Sequence, residues 1–123
     1  MRQVTSPLAI ALAIIGISLG SCTRGAVVAV MVVSPSSVKF SGSTGNYEPF
    51  CLSSASIAPI GGTVIWETLA PLNGSCINEW GFPLGGKGFR FNKKALKLPP
   101  GQYYTTVGGS GRYAYVDFNV TGE

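Results

Sequence analysis

The chain has 123 residues with nine Lys and Arg, five Asp and Glu and no His, so its formal net charge is +4. The absence of histidine excludes Ser-His, Cys-His and His-metal sites, because these need an imidazole as proton carrier or ligand. Charged residues make up only 11% of the chain, while Gly, Ser, Thr and β-branched residues abound, so the composition favours strands and turns over helices.

The first predicted element is an export signal in residues 1–21. Arg2 is followed by an apolar run over residues 8–17 and then by small residues up to Cys22, which is the arrangement of a secretory signal. The apolar run is ten residues long, shorter than the roughly 20 that a membrane-spanning helix needs. We therefore expect an N-terminal signal helix, an exported chain, and folding in a compartment where disulfides form.

Residues 19–22 (Leu-Gly-Ser-Cys) resemble the lipobox of bacterial lipoproteins. The resemblance implies cleavage before Cys22, a lipid on its sulfur and an anchor in a membrane of the cell envelope. Ordinary signal cleavage, which would release a secreted protein with a free Cys22 thiol, is the alternative. The chain has three cysteines, so lipidation of Cys22 leaves Cys51 and Cys76 as the predicted disulfide pair.

Residues 22–36 are predicted to contain the lipid attachment, a tether and the first strand, and residues 37–123 to form a β-sandwich. Residues 26–33 are an apolar run that is either a strand buried on both faces or a tether close to the membrane. Residues 70–84 contain prolines, Asn-Gly and a cysteine, so they predict a long loop. Alternating patterns predict further short strands at 38–40, 50–53, 63–67, 88–91, 95–98, 102–107 and 112–120. Seven or eight short strands separated by turn signals predict an all-β sandwich.

Three short motifs resemble bacterial immunoglobulin-like domains. Residues 33–40 resemble the opening strand, and Cys51 and Trp66 are spaced like the B-strand cysteine and C-strand tryptophan. Residues 100–105 resemble the tyrosine corner. The resemblance implies an immunoglobulin-like sandwich in which the Tyr103 hydroxyl bonds back to the backbone. A threonine stands where the family has its second cysteine, so the predicted bridge does not join strands B and F.

Side chains suited to catalysis are scarce. Glu67 and Glu79 are the only acids worth considering as a pair for glycoside chemistry, and we interpret both as solvated charges. Three cysteines without histidine do not supply the usual four ligands of a zinc site. The sequence therefore predicts a non-enzymatic protein with no cofactor and no metal site.

Two groups of side chains are candidate binding residues. Five of the nine cationic residues fall within residues 87–97, where they either meet an anionic surface or protect an edge strand. Tyr113 and Tyr115 share one face of the last strand, where they either stack against a ligand or cover a sheet face. Trp80 and Phe82 lie on the predicted loop and are either a lid or an exposed contact. The basic candidates are Lys87, Arg90, Lys93, Lys94 and Lys97.

These features predict a cell-envelope lipoprotein domain that acts in adhesion or assembly by protein contact. The alternative is a secreted module that binds carbohydrate or a foreign protein. The expected partners are a membrane, through the lipid anchor, and a protein or a cell-surface glycan; export argues against nucleic acid. If residues 26–33 are left over from the sandwich, copies could form a homo-oligomer by exchanging this strand. A binding module would instead pair that strand within its own sheet and carry a concave aromatic site.

Overall fold

The computed structural model of the chain describes residues 17–21, 26–44, 50–72 and 76–122. These residues form nine β-strands and no helix. The strands are β1 (Ile17–Ser21), β2 (Val27–Ser34), β3 (Ser37–Ser43), β4 (Leu52–Pro59), β5 (Trp66–Leu69), β6 (Glu79–Phe82), β7 (Arg90–Lys93), β8 (Gly101–Gly109) and β9 (Arg112–Val120). The predicted signal helix lies mostly outside the described residues.

The strands form two antiparallel sheets that pack face to face. One sheet has the order β1-β2-β3-β6 and the other has the order β7-β5-β4-β8-β9. The all-β sandwich predicted from the sequence is confirmed, and the eight strands that follow residue 26 agree with the expected seven or eight.

The core lies between the sheets and is built from alternate residues of each strand. Trp66 is fully buried, meets the ring of Phe82 edge-on and donates its indole N–H to the carbonyl oxygen of Pro83 at 2.9 Å. A second aromatic group joins Phe40, Trp80 and Phe118 on strands of both sheets. Large rings therefore supply much of the apolar area that this small domain buries.

The hairpin of β8 and β9 follows the sequence pattern closely. Burial alternates along β9, so that Ala114, Val116, Phe118 and Val120 face the core while Tyr113 and Tyr115 face outward, as predicted. The turn residues Ser110 and Gly111 have φ of 53° and 70°. Two consecutive left-handed residues are the requirement of a type I′ turn, which matches the twist of the strands it joins.

Cys51 and Cys76 form the predicted disulfide, with 4.6 Å between their Cα atoms. Cys51 directly precedes β4 in one sheet, and Cys76 lies shortly before β6 in the other. Beside the bridge, the Leu52 amide donates to the carbonyl oxygen of Ile77 at 2.7 Å. The disulfide therefore links the two sheets at one end of the sandwich.

Tyr103 makes the backbone hydrogen bond that the tyrosine-corner resemblance implies. It lies near the start of β8, and its hydroxyl donates to the carbonyl oxygen of Pro99 at 2.6 Å. Its ring stacks on Phe118 with 5.9 Å between ring centroids. The hydroxyl is thus held at the edge of the core, where burial raises the pKa of Tyr103 above its ordinary value of 10.0.

Replacing Tyr103 with phenylalanine is expected to lower the free energy of unfolding by about 1 kcal/mol at neutral pH, because the ring stays and the hydrogen bond is lost. Since the pKa is higher in the folded state than in the unfolded state, the hydroxyl's contribution is complete below about pH 10 and declines as the pH rises further. Urea unfolding of both proteins at about pH 7 and about pH 11 measures this. The difference in the free energy of unfolding between the two proteins should be smaller at the higher pH. An unchanged difference would contradict a stabilising hydrogen bond from the neutral Tyr103 hydroxyl.

The structure corrects two of the predicted elements. The predicted loop at residues 70–84 contains strand β6, whose Trp80 and Phe82 alternate inward. The predicted strand at residues 95–98 is irregular: Leu98 is buried and donates its amide to the carbonyl oxygen of Pro35 at 2.8 Å, whereas Leu96 is exposed. At residues 95–98 this hydrogen bond to the β2–β3 turn of the other sheet takes the place of pairing with a neighbouring strand.

The strand assignment implied by the immunoglobulin resemblance also differs from the structure. In that family the B-strand cysteine and the C-strand tryptophan lie in opposite sheets. Here Cys51 precedes β4 and Trp66 begins β5, and these two strands pair directly in the same sheet. The spacing of fifteen residues reflects a hairpin, because Ile57 of β4 is in register with Trp66.

The apolar run at residues 26–33 is a strand of the sandwich rather than a tether. Strand β2 pairs with β1 on one side and with β3 on the other. Val28 and Val30 face the core, while Ala29 and Met31 are only half-buried, so one face of the strand is buried rather than both. Because β2 is paired within its own sheet, this structure does not meet the condition for strand exchange between copies, which was that residues 26–33 are left over from the sandwich.

Candidate functional site

Trp80 and Phe82, two of the candidate contact residues, belong to the core. Only 4% of Trp80 and 3% of Phe82 is exposed, and the Trp80 ring stacks on Phe40 at 5.7 Å between centroids. The buried indole nitrogen of Trp80 finds no hydrogen-bond partner among the described residues. Strand β6 turns both side chains into the sandwich, so they are neither an exposed contact nor a lid over its end.

The basic candidates cluster around β7, which is an edge strand of the five-stranded sheet. Phe91 packs against the core while Arg90 points outward and donates to the carbonyl oxygen of Ala70 at 3.4 Å. Lys93 donates to the carbonyl oxygen of Val64 at 3.3 Å. Cations on an edge strand discourage pairing with another chain. The position of these residues therefore agrees with protection of an edge strand as well as with binding of an anionic surface.

The other three lysines of the basic segment are exposed and flank β7. Lys94 follows the strand and lies over the ring of Phe91, with 5.9 Å from Nζ to the ring centroid. Lys87 lies in the turn that precedes β7, and Lys97 lies in the irregular segment after it. These five cations therefore surround one sheet edge instead of forming a continuous stripe along one strand.

Tyr113 and Tyr115 are the most exposed aromatic side chains of the described part of the chain, at 70% and 59%. They point away from the core on β9, in register with Gly108 and Thr106 of β8. Tyr104 of β8 is half-buried on the same outer face and lies diagonal to Tyr115, within reach of an aromatic ring. We call the outward surface formed by Tyr104, Thr106, Gly108, Tyr113 and Tyr115 the tyrosine face.

The sheet register places the tyrosine face and the outward cations of edge strand β7 on one surface. One row of residues crosses the sheet from Tyr115 through Thr106, Ser56 and Glu67 to Lys93. Four strand-to-strand steps separate its ends, which is roughly 19 Å at the usual strand spacing. A ligand lying across the strands would meet rings at one end and cations at the other, with the hydroxyls of Thr106 and Ser56 and the carboxylate of Glu67 between them.

A depression of about 490 Å³ lies on the outer face of the other sheet, over β2, β3 and β6. Its lining includes the small residues Ala29, Ser41 and Gly81 and the outward side chains of Met31, Lys39 and Glu79. The sequence does not predict this site, although the alternation along β2, β3 and β6 marks these residues as outward. The charged side chains of its lining are one cation and one acid, so the depression has fewer groups for binding a ligand than the opposite face, which carries exposed tyrosines and several cations.

The acidic side chains do not form a catalytic pair. Glu67 faces outward from the five-stranded sheet, where it accepts a hydrogen bond from Asn92 at 3.5 Å. Glu79 lies on the outer face of the opposite sheet, in register with Ser41. Glu67 and Glu79 are thus separated by the whole thickness of the sandwich, and residues 17–21, 26–44, 50–72 and 76–122 contain no group of three or more potential metal ligands.

The lipid-attachment candidate Cys22 lies outside the described residues. Within the part of the chain that the structure describes, no helix has the length and apolar character needed to cross a membrane. No family model, curated protein or solved structure matches the chain.

Proposed function

We propose that the chain is a non-enzymatic domain of the cell envelope that holds a protein partner in adhesion or assembly. In this proposal the lipobox directs lipid attachment to Cys22, and the sandwich presents its five-stranded sheet to the partner. The observation that supports it is the single outer surface that carries exposed Tyr113 and Tyr115 at one edge and the outward Arg90 at the other. Tyrosine and arginine are among the residues that contribute most to protein interfaces.

A second candidate function is the binding of a cell-surface glycan. The exposed rings of Tyr113 and Tyr115 favour it, because flat aromatic rings with polar neighbours such as Thr106 suit stacking against sugars. Small polar residues across the middle of the sheet leave room for an extended chain. This alternative uses the same surface as the first and differs in the chemistry of the partner.

Replacing both Tyr113 and Tyr115 with serine is expected to weaken binding of the purified domain to envelope fragments at least tenfold, because two exposed rings are lost from the contact. Leu84, which is 72% exposed and follows β6 of the other sheet, provides the control: its replacement with serine removes exposed apolar area away from the tyrosine face and should leave binding unchanged. Equal binding by the double tyrosine variant and the Leu84→Ser variant would overturn the proposal. Unchanged urea unfolding would show that each variant remains folded.

The envelope fragments can be treated to distinguish the two partner classes. Protease digestion should abolish binding if the partner is a protein, whereas periodate oxidation should abolish it if the tyrosine face stacks on sugars. Loss after periodate alone would replace the first candidate function with the second. Binding that survives both treatments would contradict both.

A further inference from the structure

Strand β1 lies inside the segment that the proposed processing removes. It pairs antiparallel with β2 over its whole length, from Ile17 opposite Met31 to Ser21 opposite Val27. Cleavage before Cys22 separates these residues from the domain. The edge of β2 then loses its neighbour, and its backbone N–H and C=O groups lose their ladder partners.

The edge of β2 lacks the features that usually protect an exposed strand. No charged residue and no proline occurs between Val27 and Ser34. By contrast, the edge strand β7 carries Arg90 and Lys93, and the edge strand β6 carries Glu79. Since exposed edges are normally blunted by charges or prolines, the composition of β2 is typical of a strand that is paired on both sides.

The opposite sheet limits what can occupy the vacated position. Both β1 and β2 lie against β9, so β9 covers the space beside β2. A folded partner that added its own edge strand would bring a second packed sheet into the place of β9. A single extended segment, such as the one seen here, fits beneath it. Lipid cannot take this position favourably, because it supplies no partners for the backbone groups.

The register also describes the segment that fits. Gly20 and Ser18, two small residues, are opposite the core-facing Val28 and Val30. Leu19 and Ile17 are opposite Ala29 and Met31, which are the half-buried positions of β2. An acceptable segment therefore has small residues opposite Val28 and Val30 and apolar residues opposite Ala29 and Met31.

We propose that the processed protein accepts, beside β2, an extended segment of a partner polypeptide that pairs antiparallel with Val27–Ser34 in place of β1. The segment has about five residues with the small–apolar alternation of Ile17–Ser21, and it completes the sheet by strand addition. This inference rests on the proposed processing before Cys22. The inference differs from strand exchange between copies: β2 stays in its own sheet and accepts a partner's strand beside it.

The test uses the full chain exported by cells and purified from their membranes in detergent, with its N-terminus determined by intact mass. The probe is a synthetic peptide with the sequence of residues 15–21, compared with a peptide of the same residues in scrambled order. Protein that begins at Cys22 should bind the first peptide at least tenfold more tightly. The control protein is Cys22→Ser, which lacks the lipid acceptor and should retain residues 17–21 and bind neither peptide.

Each outcome decides a different step. Protein that begins at Cys22, is folded and does not prefer the first peptide overturns strand acceptance and leaves the envelope function standing. Equal binding by a Cys22→Ser protein whose mass shows residues 17–21 also overturns it, because the edge of β2 would be occupied. Purified wild-type protein that retains Ile17–Ser21 overturns the proposed processing, and strand acceptance with it.

Discussion

Replacing Cys51 and Cys76 together with alanine is expected to lower the free energy of unfolding by roughly 3–4 kcal/mol. The bridge closes a loop with a sequence separation of 25 residues, and the chain-entropy model assigns that amount to a loop of this length. The bridge also links the two sheets beside the Leu52–Ile77 hydrogen bond, so its loss frees one end of the sandwich. Small domains typically have only about 5–15 kcal/mol of stability in total.

Denaturant unfolding under non-reducing conditions measures this loss, and wild-type protein in reductant is the matched control. The reduced wild type and the double alanine variant should have similar midpoints, both far below that of the oxidised protein. A loss below about 1 kcal/mol would contradict the entropic account of the bridge.

Replacing Gly109 with alanine is the second change with a large expected effect. A Cβ at this position would lie 3.0 Å from the Cα of Leu52 and closer still to the carbonyl oxygen of Cys51. Both obstacles are backbone atoms beside the disulfide, so rotation of a side chain cannot relieve the overlap. Strand β8 would have to move away from β4, at a cost of about 3 kcal/mol, the upper end of the range for overpacked sites.

Gly111 provides the control for this variant, because it lies in the same hairpin and a Cβ there meets nothing within 4 Å. Its φ of 70° gives alanine a conformational cost of about 1–2 kcal/mol without any overlap. Thermal unfolding should therefore give a clearly larger loss for Gly109→Ala than for Gly111→Ala. The opposite order would contradict the close approach of β8 to the start of β4.

The sequence predicts some strands well because their patterns are complete within one segment. In β9, Tyr113 to Val120 alternates without interruption, and the turn before it contains glycine at a position with positive φ. Strand β6 has only four residues, lies in a segment rich in turn residues and pairs with β3 far away in sequence. Its pairing partner, not its own pattern, determines that it is a strand.

For a related reason, the sequence predicts only some features of the candidate site. The outward positions of Tyr113 and Tyr115 follow from alternation within one strand, so they could be predicted. The burial of Trp80 depends on the stacking partner Phe40 in another strand, which a local pattern does not specify. The meeting of the tyrosine face and the β7 edge on one surface depends on the order β7-β5-β4-β8-β9, which only the folded sheet reveals.

The arrangement of the two outer surfaces bears on how an anchored domain would work. Four residues lie between Cys22 and the start of β2 at Val27, so a lipid there would hold the end of the sandwich at which β2 begins near the membrane. The tyrosine face belongs to the opposite sheet. In the proposed function a partner binds the outer face of the five-stranded sheet, while strand acceptance uses the edge of the other sheet. The two proposals share the processing before Cys22 but use different surfaces, so binding at each surface can be tested separately.

The intact mass of the protein from separated membrane and culture-fluid fractions, measured before and after reduction, tests the central proposal most directly. We expect a membrane-bound species that begins at Cys22, carries added acyl mass and gains the two hydrogens of one reduced disulfide between Cys51 and Cys76. A soluble species without acyl mass would contradict the proposal of a lipid-anchored envelope domain.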